Sequence, residues 1–173
     1  MATSLSLPPL NYLIINFFTF SIFFIFLIKK INQHKNIKFF FVYGWLFGFG
    51  YFVTNLYWIS ISLTFDQNFK FLIPLAVVLI PSFLAIFYGL VSFIFFILKP
   101  KKILSSFFLF SLIFGVLEFV RGSILTGFPW NLIVYSFSNQ LEILSLLSII
   151  GTYGLNLFSI SLFTSPAIFF FKR

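Results

Sequence analysis

Long apolar stretches broken by short polar connections set the pattern of this chain. Five of them run over about 12–28, 39–63, 71–98, 103–120 and 143–171. A helix needs about 20 predominantly apolar residues to cross the hydrocarbon core of a bilayer, and these runs are of that size. They lack the strict alternation of a membrane barrel strand. Backbone groups in lipid must bond within their own segment, so the runs predict helices. The expected fold is an all-α integral membrane protein: a bundle of about five transmembrane helices in one domain, 1–173, with no soluble domain and no internal repeat. Pro8-Pro9 precede the first run, Pro74 and Pro81 fall in the third, and Gly151, Gly154 and Pro166 fall in the fifth.

The longest connection, residues 121–142, breaks the pattern because it is itself apolar. Ile124, Leu125, Phe128, Trp130, Leu132, Ile133, Val134, Tyr135 and Phe137 belong to it. Trp and Tyr favour the headgroup level, so this segment is expected to form an interfacial or re-entrant arm.

Composition makes lipid the solvent. Hydrophobic residues are 61% of the chain, charged residues 8%, and the mean hydropathy is +1.11. A soluble domain carries roughly 25% charged residues. Phe contributes 32 residues, spread over every segment, which fits a compositional bias better than a dedicated aromatic acyl-chain groove. The net charge of +8 would suggest nucleic acid in a soluble protein. Here the cations sit in short loops between apolar runs, where they set topology, and nucleic-acid binding is excluded.

The loops alternate in charge. Residues 29–38 carry Lys29, Lys30, Lys35 and Lys38, and residues 99–102 carry Lys99, Lys101 and Lys102. Lys172 and Arg173 close the chain. In the other two loops Asp66 offsets Lys70, and Glu142 offsets Arg121. Positive loops face the cytoplasm, which puts the N-terminus, 64–70 and 121–142 on the outer face. Residues 1–11 hold no Lys or Arg, so the positive region of a secretory signal is missing. An outer N-terminus without a signal is expected where a preceding helix is missing.

Few residues can carry chemistry. There is no cysteine, hence no disulfide, thiolate metal site or thiol nucleophile. His34, the one histidine, lies in a basic loop and reads as solvated. No serine has a His–Asp pair to activate it. Neither a metal set, a phosphate-binding glycine loop nor a cofactor is indicated, and no catalytic residue is assigned. Gly44 and Gly48, four apart with Gly50 beyond, share a helix face that lets a second helix approach. Asn55, Tyr57 and Trp58 bring polar groups near the outer end of that helix. An interhelical hydrogen bond of Asn55 is the structural reading and a lipid headgroup contact the functional one.

Glu118 and Arg121 are the acid–base pair at helical spacing near a membrane end, three apart and so on one face. Ionised groups in lipid are costly unless satisfied. Arg121 also suits a helix C-terminus, where the dipole favours a cation. A helix-end ion pair is the structural reading. The functional one is a role in ordering the arm, or holding phosphate, at a lipid entrance formed with Thr126, Phe128, Pro129 and Trp130. Gly122 and Gly127 would allow the turns, and Pro129 would stiffen the arm.

The run Glu118-Phe119-Val120-Arg121-Gly122-Ser123-Ile124-Leu125-Thr126-Gly127-Phe128-Pro129-Trp130 resembles the EF-x-RG-x-x-x-TGFPW signature of the bacterial apolipoprotein N-acyltransferases. Leu5-Ser6-Leu7-Pro8-Pro9-Leu10-Asn11-Tyr12 is similar to the lead-in to that family's second helix. Gly44 to Phe52, with Leu56-Tyr57-Trp58-Ile59, is similar to its third helix. Gly151-Thr152-Tyr153-Gly154-Leu155-Asn156 resembles its sixth. Leu13 departs from the pattern, which often has Trp there.

The resemblance implies the membrane part of an enzyme with eight helices and a periplasmic nitrilase-like domain before the last. Such an enzyme moves an acyl chain from a phospholipid to a cysteine thioester, then to the N-terminal diacylglyceryl-cysteine of a lipoprotein. Its partners are the phospholipid donor, the apolipoprotein and membrane lipids, and its location is the bacterial inner membrane. The nucleophilic Cys and supporting Glu and Lys belong to the nitrilase-like domain and match nothing here. The chain would supply helices two to six, as a fragment of a longer protein or the product of a broken reading frame. The competing class is a non-enzymatic small membrane subunit or a transporter fragment. The adjoining coding sequence distinguishes them.

Overall fold

A computed structural model describes residues 2–31, 33, 36–124 and 127–171, with the side chain of Phe69 outside that set. Expectations placed on His34, Lys35, Leu125, Thr126, Lys172 and Arg173 lie outside the described residues. Among the described residues the structure is all helical, with five stretches long and apolar enough to cross a membrane. The chain is a multi-pass integral membrane protein.

Helix α1 spans Ile14–Ile31, α2 Ile37–Leu56, α3 Ile73–Leu98 and α4 Ile103–Ser123. After the arm come a short α5, Leu141–Leu144, then α6, Leu147–Thr164, and α7, Pro166–Phe171. At about 1.5 Å per residue, the 26 residues of α3 are ample for a hydrocarbon core of about 30 Å. Helices α1, α3, α4 and α6 surround the core, and α2 packs along α3.

Inside and outside differ here by packing rather than polarity. On α1, Phe20, Phe23, Phe24 and Leu27 recur at helical spacing and are buried, while Ile14, Phe18 and Ile22 on the opposite face are exposed. The inward rings interlock. Phe20 tilts on Phe114 at 5.6 Å, Phe24 on Phe110 at 5.3 Å, and Phe23 stacks on Phe47 at 4.3 Å. Small polar residues, Asn16, Ser21, Ser92, Ser111 and Ser159, also face inward. In lipid, helix association rests on such packing and interhelical hydrogen bonding.

Two expected spans are not single helices. The second stops being α-helical at Leu56 and tightens into a 3-10 run, Tyr57–Thr64, that buries none of its residues. Ser60, Ser62 and Thr64 each donate a hydroxyl proton to the carbonyl three residues back, at 2.6, 2.7 and 2.6 Å. Such local bonds compete with regular helix. The fifth breaks at Gly151, with φ 71° and ψ 167°, a conformation essentially reserved for glycine. It breaks again before Pro166, whose ring nitrogen cannot donate.

The bundle has two distinct ends. At one, the N-terminal segment, the end of α2 and the arm surround a cavity. At the other, the end of α1, the α3–α4 turn and Phe171 surround a second.

Candidate functional site

Glu118 and Arg121 lie in the last two turns of α4 and project into the bundle, with side chains 1% and 0% exposed. The pair sits at the helix end with its side chains turned into the bundle rather than toward lipid. Arg121 Nη2 donates to Glu118 Oε2 at 2.6 Å. Its Nη1 donates to two carbonyls of the arm, Phe128 at 2.7 Å and Trp130 at 3.1 Å. The guanidinium carbon also lies 5.2 Å from the centre of the Phe52 ring, within cation–π range. One arginine thus joins α4, α2 and the arm.

The backbone closes the same loop. Phe128 N–H donates to the Arg121 carbonyl at 3.1 Å, and Gly127 N–H to Ile124 O at 2.8 Å. Gly127 has φ 73°, which glycine adopts without a Cβ penalty, and an added Cβ there would lie 2.6 Å from Gly122 O. Glu118 Oε1 and Arg121 Nε are buried with no protein hydrogen bond. Tyr88 from α3 meets Phe52 edge-on at 5.2 Å, and its buried hydroxyl finds no hydrogen-bond partner among the described residues.

Beyond Trp130 the arm turns back into the protein. Tyr51 on α2 donates its hydroxyl to Asn131 O at 2.8 Å. Val134 N–H donates to Asn156 Oδ1 of α6 at 3.0 Å. Leu132, Ile133, Val134 and Phe137 are all buried, and Phe137 stacks on Phe163 at 5.5 Å. This half of the connection is core rather than interface. Tyr135 stays partly exposed. Burial pushes its phenol above the usual value, Tyr153 adds to this and Arg121 opposes it, so the phenol remains a proton donor.

Phe128 and Trp130 serve different cavities. Phe128 lines one of about 360 Å³ with Arg121, Gly127 and the α3 residues Leu79, Phe83 and Phe87. Trp130, 57% exposed, lines one of about 1000 Å³ with Pro8, Pro9, Asn55, Trp58 and Tyr135. Its indole meets Trp58 edge-on at 6.2 Å. Among the described residues Asn55 makes none of the interhelical bonds that the structural reading expected. Its amide donates to Tyr51 O of its own helix at 2.8 Å. Gly44 and Gly48 are buried against α3: a Cβ at Gly48 would lie 2.7 Å from Tyr88 Cβ, and one at Gly44 would run into Tyr88 O and Ser92 Oγ. Gly50 is half-buried, and its carbonyl accepts from Thr54 Oγ1 at 2.9 Å. Among the described residues no group of acidic or histidine side chains could hold a metal.

Residues 1–163 match the family model described as the apolipoprotein N-acyltransferase N-terminal domain. The chain belongs to the apolipoprotein N-acyltransferase family. An apolipoprotein N-acyltransferase of Allorhizobium ampelinum is 32% identical over 177 residues, covering 98% of this chain and 33% of the relative. One of Rhodopseudomonas palustris is 35% identical over 172 residues, covering 96% and 31%. One of Rickettsia prowazekii is 38% identical over 157 residues, covering 90% and 30%. The chain thus spans about a third of the length of the curated acyltransferases it matches.

In this family member, sequence reasoning missed Tyr88, Phe52 and Asn131. Tyr88 and Phe52 look like ordinary aromatic residues of apolar helices, and Asn131 acts through its backbone. Asn156 did carry a signal, as a lone amide in an apolar run.

Proposed function

We propose that this chain is the membrane-embedded portion of an apolipoprotein N-acyltransferase. The enzyme transfers an acyl chain from a phospholipid to the N-terminal diacylglyceryl-cysteine of lipoproteins. In this reading the bundle seats the acyltransferase's catalytic domain on its outer face and admits lipid from the side. The 29–38 and 99–102 loops face the cytoplasm of a bacterial inner membrane, and the arm faces the periplasm.

One observation carries the proposal. Arg121 fixes the arm through the carbonyls of Phe128 and Trp130, so the two rings are held by backbone and stand in two separate cavities. The apolar cavity at Phe128 suits an acyl chain. The wider one at Trp130 opens where a lipid headgroup or lipoprotein N-terminus would meet the catalytic domain. Acyl transfer through a covalent enzyme intermediate needs an activated nucleophile, and a sequence with no cysteine has no thiol to offer. The 173-residue chain alone is expected to form no triacylated product from phospholipid and a diacylated lipopeptide. Product above a no-protein control, read by mass spectrometry, would refute that.

The test of the arm uses the complete enzyme. Trp130→Ala and Phe128→Ala are measured for membrane level and for acyl transfer per folded molecule. At least a tenfold loss of transfer with near-normal level is expected for Trp130→Ala. Wild-type transfer in both variants sinks the reading and leaves the arm structural. Orientation is tested separately with single cysteines at Gln33 and Gln67 and an impermeant thiol reagent on intact cells. Labelling is expected at Gln67 alone, and labelling at Gln33 alone reverses the topology.

A further inference from the structure

The end of the bundle opposite the arm holds a cavity of about 450 Å³ that nothing above uses. Ile28 and Ile31 of α1, Lys99 and Lys101 of the α3–α4 turn, Ser106 of α4 and Phe171 of α7 line it. The sequence has three acidic residues, Asp66, Glu118 and Glu142. Asp66 caps the 3-10 run Gln67–Leu72 in the α2–α3 connection, and Glu142 lies on α5. Glu118 is taken by Arg121. Among the described residues no acidic side chain therefore stands at this end to balance Lys99 and Lys101.

Aromatic contacts distinguish Lys99, and Lys29 next to Ile28, from loop lysines wholly in water, while Lys101 is exposed. Lys99 Nζ sits 4.4 Å from the centre of the Phe96 ring, and Lys29 Nζ 4.6 Å from that of Phe170. Both ammonium groups are held against aromatic faces at the edge of an apolar wall. Lys99 is also the C-cap of α3 in the left-handed conformation, φ 38° and ψ 60°. Glycine takes this position without steric cost and is the usual residue there. The chain has lysine instead, and that lysine lines the cavity.

We propose that this cavity binds the phosphate of an anionic phospholipid, with Lys99 and Lys101 as the charged contacts and an acyl chain lying along Ile28 and Ile31. Basic pockets between helices at a membrane end attract anionic headgroups. The shared chemistry is a phosphate group. The isoleucine wall favours a lipid over free phosphate. Assigning the site to the cytoplasmic leaflet rests on the orientation proposed above, but binding itself does not.

The chain is reconstituted in nanodiscs of phosphatidylcholine containing a minor fraction of phosphatidylglycerol. Lipids retained on extraction are counted by native mass spectrometry. Both faces are accessible, so this readout is independent of topology, which the thiol labelling measures alone. Retained phosphatidylglycerol is expected to fall roughly fivefold for each lysine removed in Lys99→Gln and Lys101→Gln. It should stay near wild type in Lys99→Arg/Lys101→Arg and in Lys30→Gln/Lys38→Gln, which removes the same charge outside the cavity. Lys99→Gly separates binding from folding: it should raise the melting temperature while losing the lipid. Equal loss in the Lys30/Lys38 pair overturns the site in favour of diffuse surface charge. Full displacement by millimolar inorganic phosphate overturns the lipid assignment. Unchanged retention in both glutamine variants overturns the proposal altogether.

Discussion

The two ends of the bundle handle charge in opposite ways. At the arm end a single arginine is drawn into the interior, neutralised by Glu118 and bonded through Nη1 and Nη2 to two backbone carbonyls and a carboxylate. At the other end the lysines stay at the surface with no acidic residue of the chain nearby. The first arrangement is self-contained and ties three elements together. The second leaves its balance to water and lipid. If the cavity proposed above holds a lipid, removing a cation from the arm end should break the protein, while removing one from the lysine end should change what it binds.

The comparison can be tested from its strongest point outward. Arg121→Ala strands a buried carboxylate and frees the arm, and should cost about 3–5 kcal/mol, read as a large drop in thermal midpoint in detergent. The double change Glu118→Ala/Arg121→Ala should recover part of that loss, since no unpaired charge remains. A double variant no better than the single would place the stabilisation in the carbonyl contacts rather than the pair. Gly44→Val should follow. It overfills the α2–α3 contact at Tyr88 O and Ser92 Oγ and should cost about 1–3 kcal/mol, with disulfide trapping across α2 and α3 reporting their separation.

Gly151→Ala should cost roughly 1–3 kcal/mol. Space around it is open, so the effect comes from its backbone conformation alone. A neutral result there would mean that α6 straightens through the break. Smallest of all, Lys38→Gln at the lysine end should shift stability by less than about 0.5 kcal/mol. A shift as large as that of Arg121→Ala would erase the distinction between the ends.

Much of this was legible in the sequence, because hydropathy locates spans directly. The membrane class, the five apolar stretches and the family signature from Glu118 to Trp130 could all be read there. Depth and direction could not. Hydropathy places Arg121 at the end of α4 but does not say whether it turns toward lipid or core. Leu132, Ile133 and Val134 look the same in an interfacial arm as in a buried one, since both are apolar. What separates them is a set of backbone bonds, to Asn156 Oδ1 and from Tyr51, which leave no trace in residue type on the arm. The break at Gly151 was visible as a glycine, but a glycine in an apolar run reads equally well as a packing site.

The anchoring of the arm separates two duties. Arg121, Tyr51 and Asn156 hold it by the main-chain atoms of Phe128, Trp130, Asn131 and Val134. Every residue has those atoms, proline's missing N–H aside. The side chains at 128 and 130 are therefore not what holds the segment in place. On the function proposed above, the Phe and Trp that the family signature has there answer to what fills the two cavities, while the duty of anchoring falls on the helices behind them.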